Sequence, residues 1–175
     1  MSDEYIDNLN KLSKNSKKVT DKLPINFKWI GIIKLILPNS KIIHCVRNPK
    51  DNCISIYNNY FVNPKLNFAY DLSEITDFYL LYMNLMKHWK NTLSNFIYDI
   101  KYEEIIENPD KQIRKLLKNC NLSWNSNCLK FYNNKRAIKT ASDTQVRKKI
   151  YNSSVNSWKN YEKNLTTFFQ RLPNL

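Results

Sequence analysis

Glycine is almost missing from this chain: Gly31 is the only one among 175 residues. A G-x-G-x-x-G dinucleotide turn and a Walker G-x-x-x-x-G-K-[ST] loop each need more than one, so a Rossmann dehydrogenase and a self-contained P-loop nucleotidase are excluded. Cysteine pairs at metal-binding spacing are missing too. Cys45, Cys53, Cys120 and Cys128 form no C-x-x-C, and His44 and His88 lie far from any paired thiols. No zinc site or other metal centre is expected, and the four cysteines read as small buried thiols of a reducing compartment. Long apolar runs are absent: no stretch of about 18 uncharged apolar residues occurs, and Met1 to Lys18 is polar with no apolar signal core. A soluble, cytoplasmic protein with no membrane partner is the expectation.

What is present suits a globular domain. Hydrophobic residues make up 42% and aromatics 13%, enough apolar surface to offset the entropy of ordering one domain. Basic residues outnumber acidic ones 28 to 15, for a net charge of +13, which would suit a polyanionic partner. Yet 23 of the 28 are lysines, beside 26 asparagines. Lys, Asn, Ile, Tyr and Phe are the residues of A/T-rich codons, so much of this charge reads as solvated surface. An RNA-associated protein would interleave exposed aromatics with its cations, whereas the aromatics here fall on apolar faces, and no nucleic-acid partner is expected. The five arginines, Arg47, Arg114, Arg136, Arg147 and Arg171, are more informative, because a planar bidentate donor is hard to replace at a phosphate site.

Along the chain, residues 5–18 read as a polar helix set apart from a domain over 19–175. Pro24 can occupy a first helical turn, and Phe27, Ile30, Ile33, Ile36 and Leu37 recur at helical spacing until Pro38, which predicts a mostly buried helix. Lys-Ile-Ile-His-Cys-Val (41–46) is a short β-branched run, as expected of a strand covered on both faces. Pro49 then restarts the chain as a helix, with Asn48 as N-cap. A long helix follows from Asp71 to about Leu93, opened by the D-x-x-E of Asp71 and Glu74. Residues 96–104 are strand-like. Pro109 opens a helix ending at Asn121, a short helix spans Asn127 to Asn133, an irregular basic loop covers 134–157, and Trp158 to Leu172 closes as a helix. Strands separated by helices predict an α/β layered domain with a parallel sheet.

The sharpest chemistry lies at Arg47. A guanidinium at the carboxyl end of a strand, followed at once by a helix N-terminus, stands where α/β proteins bind ligands, and such a corner suits a phosphate. Asp51 and Ser55 are four apart and share a helix face, so Ser55 can add a hydroxyl to the same anion. Read alone, the arginine serves a structural salt bridge equally well. No general base stands out: His44 reads as a core histidine, and His88 lies on the long helix.

At this point the chain resembles the sulfotransferases, in particular the bacterial branch joined to tetratricopeptide repeats and related to protein-tyrosine sulfotransferases. VTDKLPINFKWIG, PNSKIIHCVRNPKDNCISIY, IKYEEIIENPDKQIRKLL and NKRAIKTASDTQVRKKIYNSSVNSW follow that family's order and spacing from about Val19 to Leu172. The resemblance implies a three-layer, P-loop-NTPase-like fold whose parallel sheet is flanked by helices. It implies transfer of a sulfuryl group from 3′-phosphoadenosine 5′-phosphosulfate to a hydroxyl or amine, with no metal needed to anchor the donor. Arg47 and Ser55 would hold the 3′-phosphate. Tyr102 would pack on the adenosine side, or else simply cover the sheet end. Ser142, beside Gln145 and Val146, would lie in a late loop that closes over the donor, with Arg147 as a further anion contact. Lys22 would stand near the sulfonate and its bridging oxygen as the catalytic residue, and a lysine just ahead of Pro24 at the start of a buried helix reads as badly placed for solvent. The acceptor would be a protein tyrosine, a saccharide or a small metabolite.

Two departures bear on activity. The family's 5′-phosphosulfate loop, a strand followed by a P-x-S-G-T-T-like turn and a helix, has no counterpart here, so the chain reads as a carboxyl-terminal part truncated at the N-terminus. The alternative to an enzyme is a non-catalytic 3′-phosphonucleotide-binding or assembly module, which needs an upstream segment or a second chain for that loop. Ser157 also stands before Trp158 where many relatives have a basic residue.

Overall fold

The computed structural model describes residues 2–13, 16, 18–134 and 147–173. The chain folds as two compact units, Met1–Ile42 with Leu81–Ile97, and Ile43–Leu80 with Tyr98–Leu175. The elements in order are α1 (Ser2–Ser13), a 3-10 turn (Pro24–Trp29), α2 (Ile30–Ile36), β1 (Ile42–Val46), α3 (Pro49–Tyr57), a 3-10 stretch (Pro64–Tyr70), α4 (Leu72–Thr92), β2 (Ile97–Lys101), α5 (Tyr102–Glu107), α6 (Pro109–Asn119), 3-10 stretches at Ser126–Asn133 and Ser157–Tyr161, and α7 (Thr166–Gln170). Strands β1 and β2 pair as a small parallel sheet with helices about it, a mixed α/β architecture. A parallel pair needs a crossover, and α3 and α4 lie in it.

In the first unit Ile30, Met86 and Phe96 are buried, with Phe27, Ile33, Tyr82, Trp89 and Leu93 packed around them. The ring of Phe27 meets Tyr82 edge-on at 5.1 Å. Trp89 donates its indole N–H to the Phe27 carbonyl at 2.8 Å, which fixes the ring over Gly31. A Cβ on Gly31 would lie 2.8 Å from a carbon of that ring, so the chain's only glycine serves close packing. The single buried helix expected over residues 24–37 is instead a 3-10 turn followed by α2, and of that span only Ile30 is buried. Trp29, Ile32 and Leu35 recur three apart on the face turned from Ile30 and are exposed, Leu35 by 81%.

The second unit buries Cys53 and Ile54 of α3, Ala69, Ile75 and Tyr79, Ile100 of β2, and Phe168, Phe169 and Leu172 near the carboxyl end. Asn48 caps α3 by accepting from the backbone N–H groups of Lys50 and Asp51, at 3.0 and 3.2 Å, with Pro49 in the first turn as expected. Asp71 caps α4 by accepting from Ser73 and Glu74 N–H at 2.8 and 2.9 Å. Three expectations change. The strand-like reading of 96–104 ends at Lys101, because Tyr102-Glu103-Glu104 opens α5 with acidic residues in its first turn, where the helix dipole favours them. The closing helix expected over 158–172 is broken into a 3-10 turn and α7. Strand β1 is not covered on both faces: Cys45 is exposed, while Cys53 is the fully buried thiol and Cys120 and Cys128 are half-buried. Among the described residues no helix is long and apolar enough to cross a membrane.

Candidate functional site

The site grows out of the corner between β1 and α3. Arg47 leaves the strand end, and Asn48, whose own N–H donates to Glu103 Oε1 at 2.8 Å, turns the chain into the helix. Arg47 Nη2 donates to the Ser154 carbonyl at 2.8 Å, and its guanidinium lies 5.0 Å from the centre of the Tyr102 ring. Its Nε is buried and has no hydrogen-bond partner among the described residues. A buried donor left unmade costs free energy, and an anion oxygen would satisfy it.

Arg47 and Ser55 line one cavity of about 190 Å³. Its other walls are Ile54, Asn58 and Asn59 from the end of α3, and Ser153, Ser154, Ser157, Asn160 and Tyr161 from the carboxyl-terminal segment. One cation, several hydroxyls and amides and one aliphatic side chain make a lining suited to an oxyanion.

Behind this cavity stands Asp51, whose position on α3 is legible in the sequence but whose partners are not. It is 1% exposed. Its carboxylate accepts from Asn156 N–H at 2.7 Å, Ser157 Oγ at 2.9 Å and Trp158 N–H at 2.9 Å. Asn156 has φ of 59°, the left-handed region that asparagine tolerates better than most residues, and this sharp bend turns successive donors toward one carboxylate. Lys50 Nζ stands 4.2 Å from the centre of the Trp158 ring on the same turn.

Of the remaining candidates, Tyr102 also stands against Arg47, half-buried at the first position of α5. Arg147 is exposed and lines a second, open cavity of about 590 Å³ with Tyr132, Asn133 and Asn134. Ser142, with Gln145 and Val146, lies outside the described residues. Lys22 belongs to the first unit, in the irregular stretch ahead of the Pro24 turn, and it is exposed, so burial gives no reason to set it apart from other lysines. His44 is not a plain core histidine: its Nδ1 lies 2.7 Å from Asp99 Oδ1 on the neighbouring strand. His88 is exposed and touches Trp89 ring to ring at 4.8 Å.

Comparison with known proteins agrees with this architecture. The model of the sulfotransferase family matches residues 1–126, which include both strands, Arg47, Ser55 and Tyr102. The chain belongs to the sulfotransferase family, a family of transferases. It is similar to an uncharacterized protein of Aquifex aeolicus (strain VF5), 40% identical over 170 residues, which are 96% of this chain and 22% of that protein. The chain thus spans between a fifth and a quarter of that relative.

Proposed function

We propose that this chain carries the 3′-phosphate half of a donor site for 3′-phosphoadenosine 5′-phosphosulfate, and that it serves sulfuryl transfer to a hydroxyl or amine acceptor. Arg47 and Ser55 hold the 3′-phosphate, Tyr102 packs on the adenosine side, and Ser142 and Arg147 add further contacts to the donor. Lys22 stabilises the bridging oxygen. The observation that carries the reading is that Arg47, whose buried Nε has no hydrogen-bond partner among the described residues, lines one cavity with Ser55. In the reaction the acceptor oxygen bonds to sulfur as the bond from sulfur to the bridging oxygen breaks, and the acceptor's proton passes to a base. Charge grows on the leaving oxygen, where a positioned ammonium stabilises it. Holding the remote 3′-phosphate converts binding energy into alignment of the reacting end.

A second reading also has support. The 5′-phosphosulfate end needs a loop whose backbone approaches the ligand closely, and Gly31, the only glycine, is packed under Trp89. On that reading the chain is a binding or assembly module, and an upstream segment or a second chain brings the loop. The acceptor is a protein tyrosine, a saccharide or a small metabolite.

Calorimetry tests the shared premise. Adenosine 3′,5′-bisphosphate should bind more tightly than 5′-AMP, and Arg47→Lys should weaken the bisphosphate by about 1–3 kcal/mol, because a point charge does not reproduce the planar fork. Equal binding of the two nucleotides, or unchanged affinity in Arg47→Lys, removes the 3′-phosphate assignment.

A further inference from the structure

We infer that Asp51 is a positioning residue: its buried carboxylate holds the turn at Asn156–Trp158, and through that turn sets the serine wall of the cavity opposite Arg47 and Ser55. The inference rests on the 3′-phosphate reading of the cavity and extends it to a residue that touches no ligand.

Burying a carboxylate is costly unless its oxygens are well satisfied, and Asp51, at 1% exposure, has three donors from residues 105 to 107 positions away. All three belong to one turn. Ser157, which gives its hydroxyl to Asp51, also lines the cavity, and so do Ser153 and Ser154, which Val155 separates from the turn. The carbonyl of Ser154 takes one arm of the Arg47 fork. Asp51 and Ser55 lie on one face of α3, so the same face clamps the turn and supplies the opposite wall. The left-handed Asn156 fixes the direction of the bend, and Lys50 over Trp158 covers it.

This geometry makes a prediction whose sign separates positioning from charge. A carboxylate near an anion site opposes the anion, so if Asp51 acted through charge alone, Asp51→Asn would tighten binding. If it positions the turn, Asp51→Asn weakens binding, because an amide NH2 then faces the N–H of Asn156. The probes are adenosine 3′,5′-bisphosphate and 5′-AMP, titrated calorimetrically against the 175-residue chain. Asp51→Asn should lower affinity for the bisphosphate about tenfold while leaving 5′-AMP within about twofold. In an Arg47→Ala background the same change should have almost no effect on the bisphosphate, since the two residues act on one phosphate.

Should Asp51→Asn fail to fold, amide hydrogen exchange on the unaltered chain provides the test. The amides of Asn156 and Trp158 should exchange slowly, and more slowly when saturated with the bisphosphate but not with 5′-AMP. A gain of affinity in Asp51→Asn, an equal loss for both nucleotides, additive effects with Arg47→Ala, or exchange that the bisphosphate leaves unchanged would each overturn the positioning role. If the unaltered chain binds the two nucleotides equally, the 3′-phosphate reading falls and takes this inference with it. If it discriminates through Arg47 and Asp51→Asn discriminates just as well, only the inference falls.

Discussion

Cys53 and Cys45 are separated by eight positions and by the whole range of burial. Cys53 is fully buried on α3, and burial pushes its thiol up to about 12, while Cys45 is exposed on β1. The folded state therefore favours the neutral Cys53 thiol. That stability is fully present below the unfolded thiol's pKa near 9 and is lost as pH rises toward 12. Urea unfolding at about pH 8 and about pH 10.5, on either side of the unfolded thiol's pKa, should show a loss that Cys53→Ala largely removes, after allowing for the fixed cost of the cavity the variant leaves. A pH dependence unchanged in Cys53→Ala would show that other groups govern alkaline unfolding. The sequence supports burial of any cysteine in an apolar run, and it is right for Cys53 and wrong for Cys45. The difference is tertiary: with two strands in the sheet among the described residues, an alternate position on β1 is left uncovered.

At the scale of elements, local chemistry was legible and long-range pairing was not. The N-cap at Asn48, the cap at Asp71 and the start of α6 at Pro109 all depend on groups within a few residues of one another, and each appears where the side chains predict it. Apolar residues all round the 24–37 span cannot tell which face will be buried, and the structure buries only Ile30. Two substitutions probe this level. Asn48→Ala removes an acceptor for two N–H groups and should cost about 1 kcal/mol in urea unfolding. Gly31→Ala should gain about 1 kcal/mol of helix propensity but lose more to the Trp89 ring, which its bond to the Phe27 carbonyl keeps from moving aside. A net loss of about 1–2 kcal/mol is expected, and a stabilised Gly31→Ala would mean that the ring gives way.

At the scale of the whole molecule, the site's two contributions differ in how far apart the sequence places them. Arg47 and Ser55 lie eight positions apart, so strand-to-helix geometry alone brings them to one cavity. The serine wall and the clamp on Asp51 join segments about a hundred residues apart, and no local pattern reports that pairing. The same reasoning governs activity. On the proposed function, in-line sulfuryl transfer needs the 5′-phosphosulfate held in alignment, worth several kcal/mol of transition-state stabilisation, and an exposed Lys22 by itself would not fix that alignment. The 175-residue chain assayed alone with radiolabelled donor and mixed hydroxyl acceptors should give negligible turnover, and a segment carrying a glycine-containing phosphate loop should restore it. In the restored protein Lys22→Ala should lower kcat by more than it raises the donor Kd, since its charge matters most once the leaving oxygen develops charge. Robust turnover by the 175 residues alone would sink this account and move the search for the sulfonate site to the open cavity at Tyr132 and Arg147.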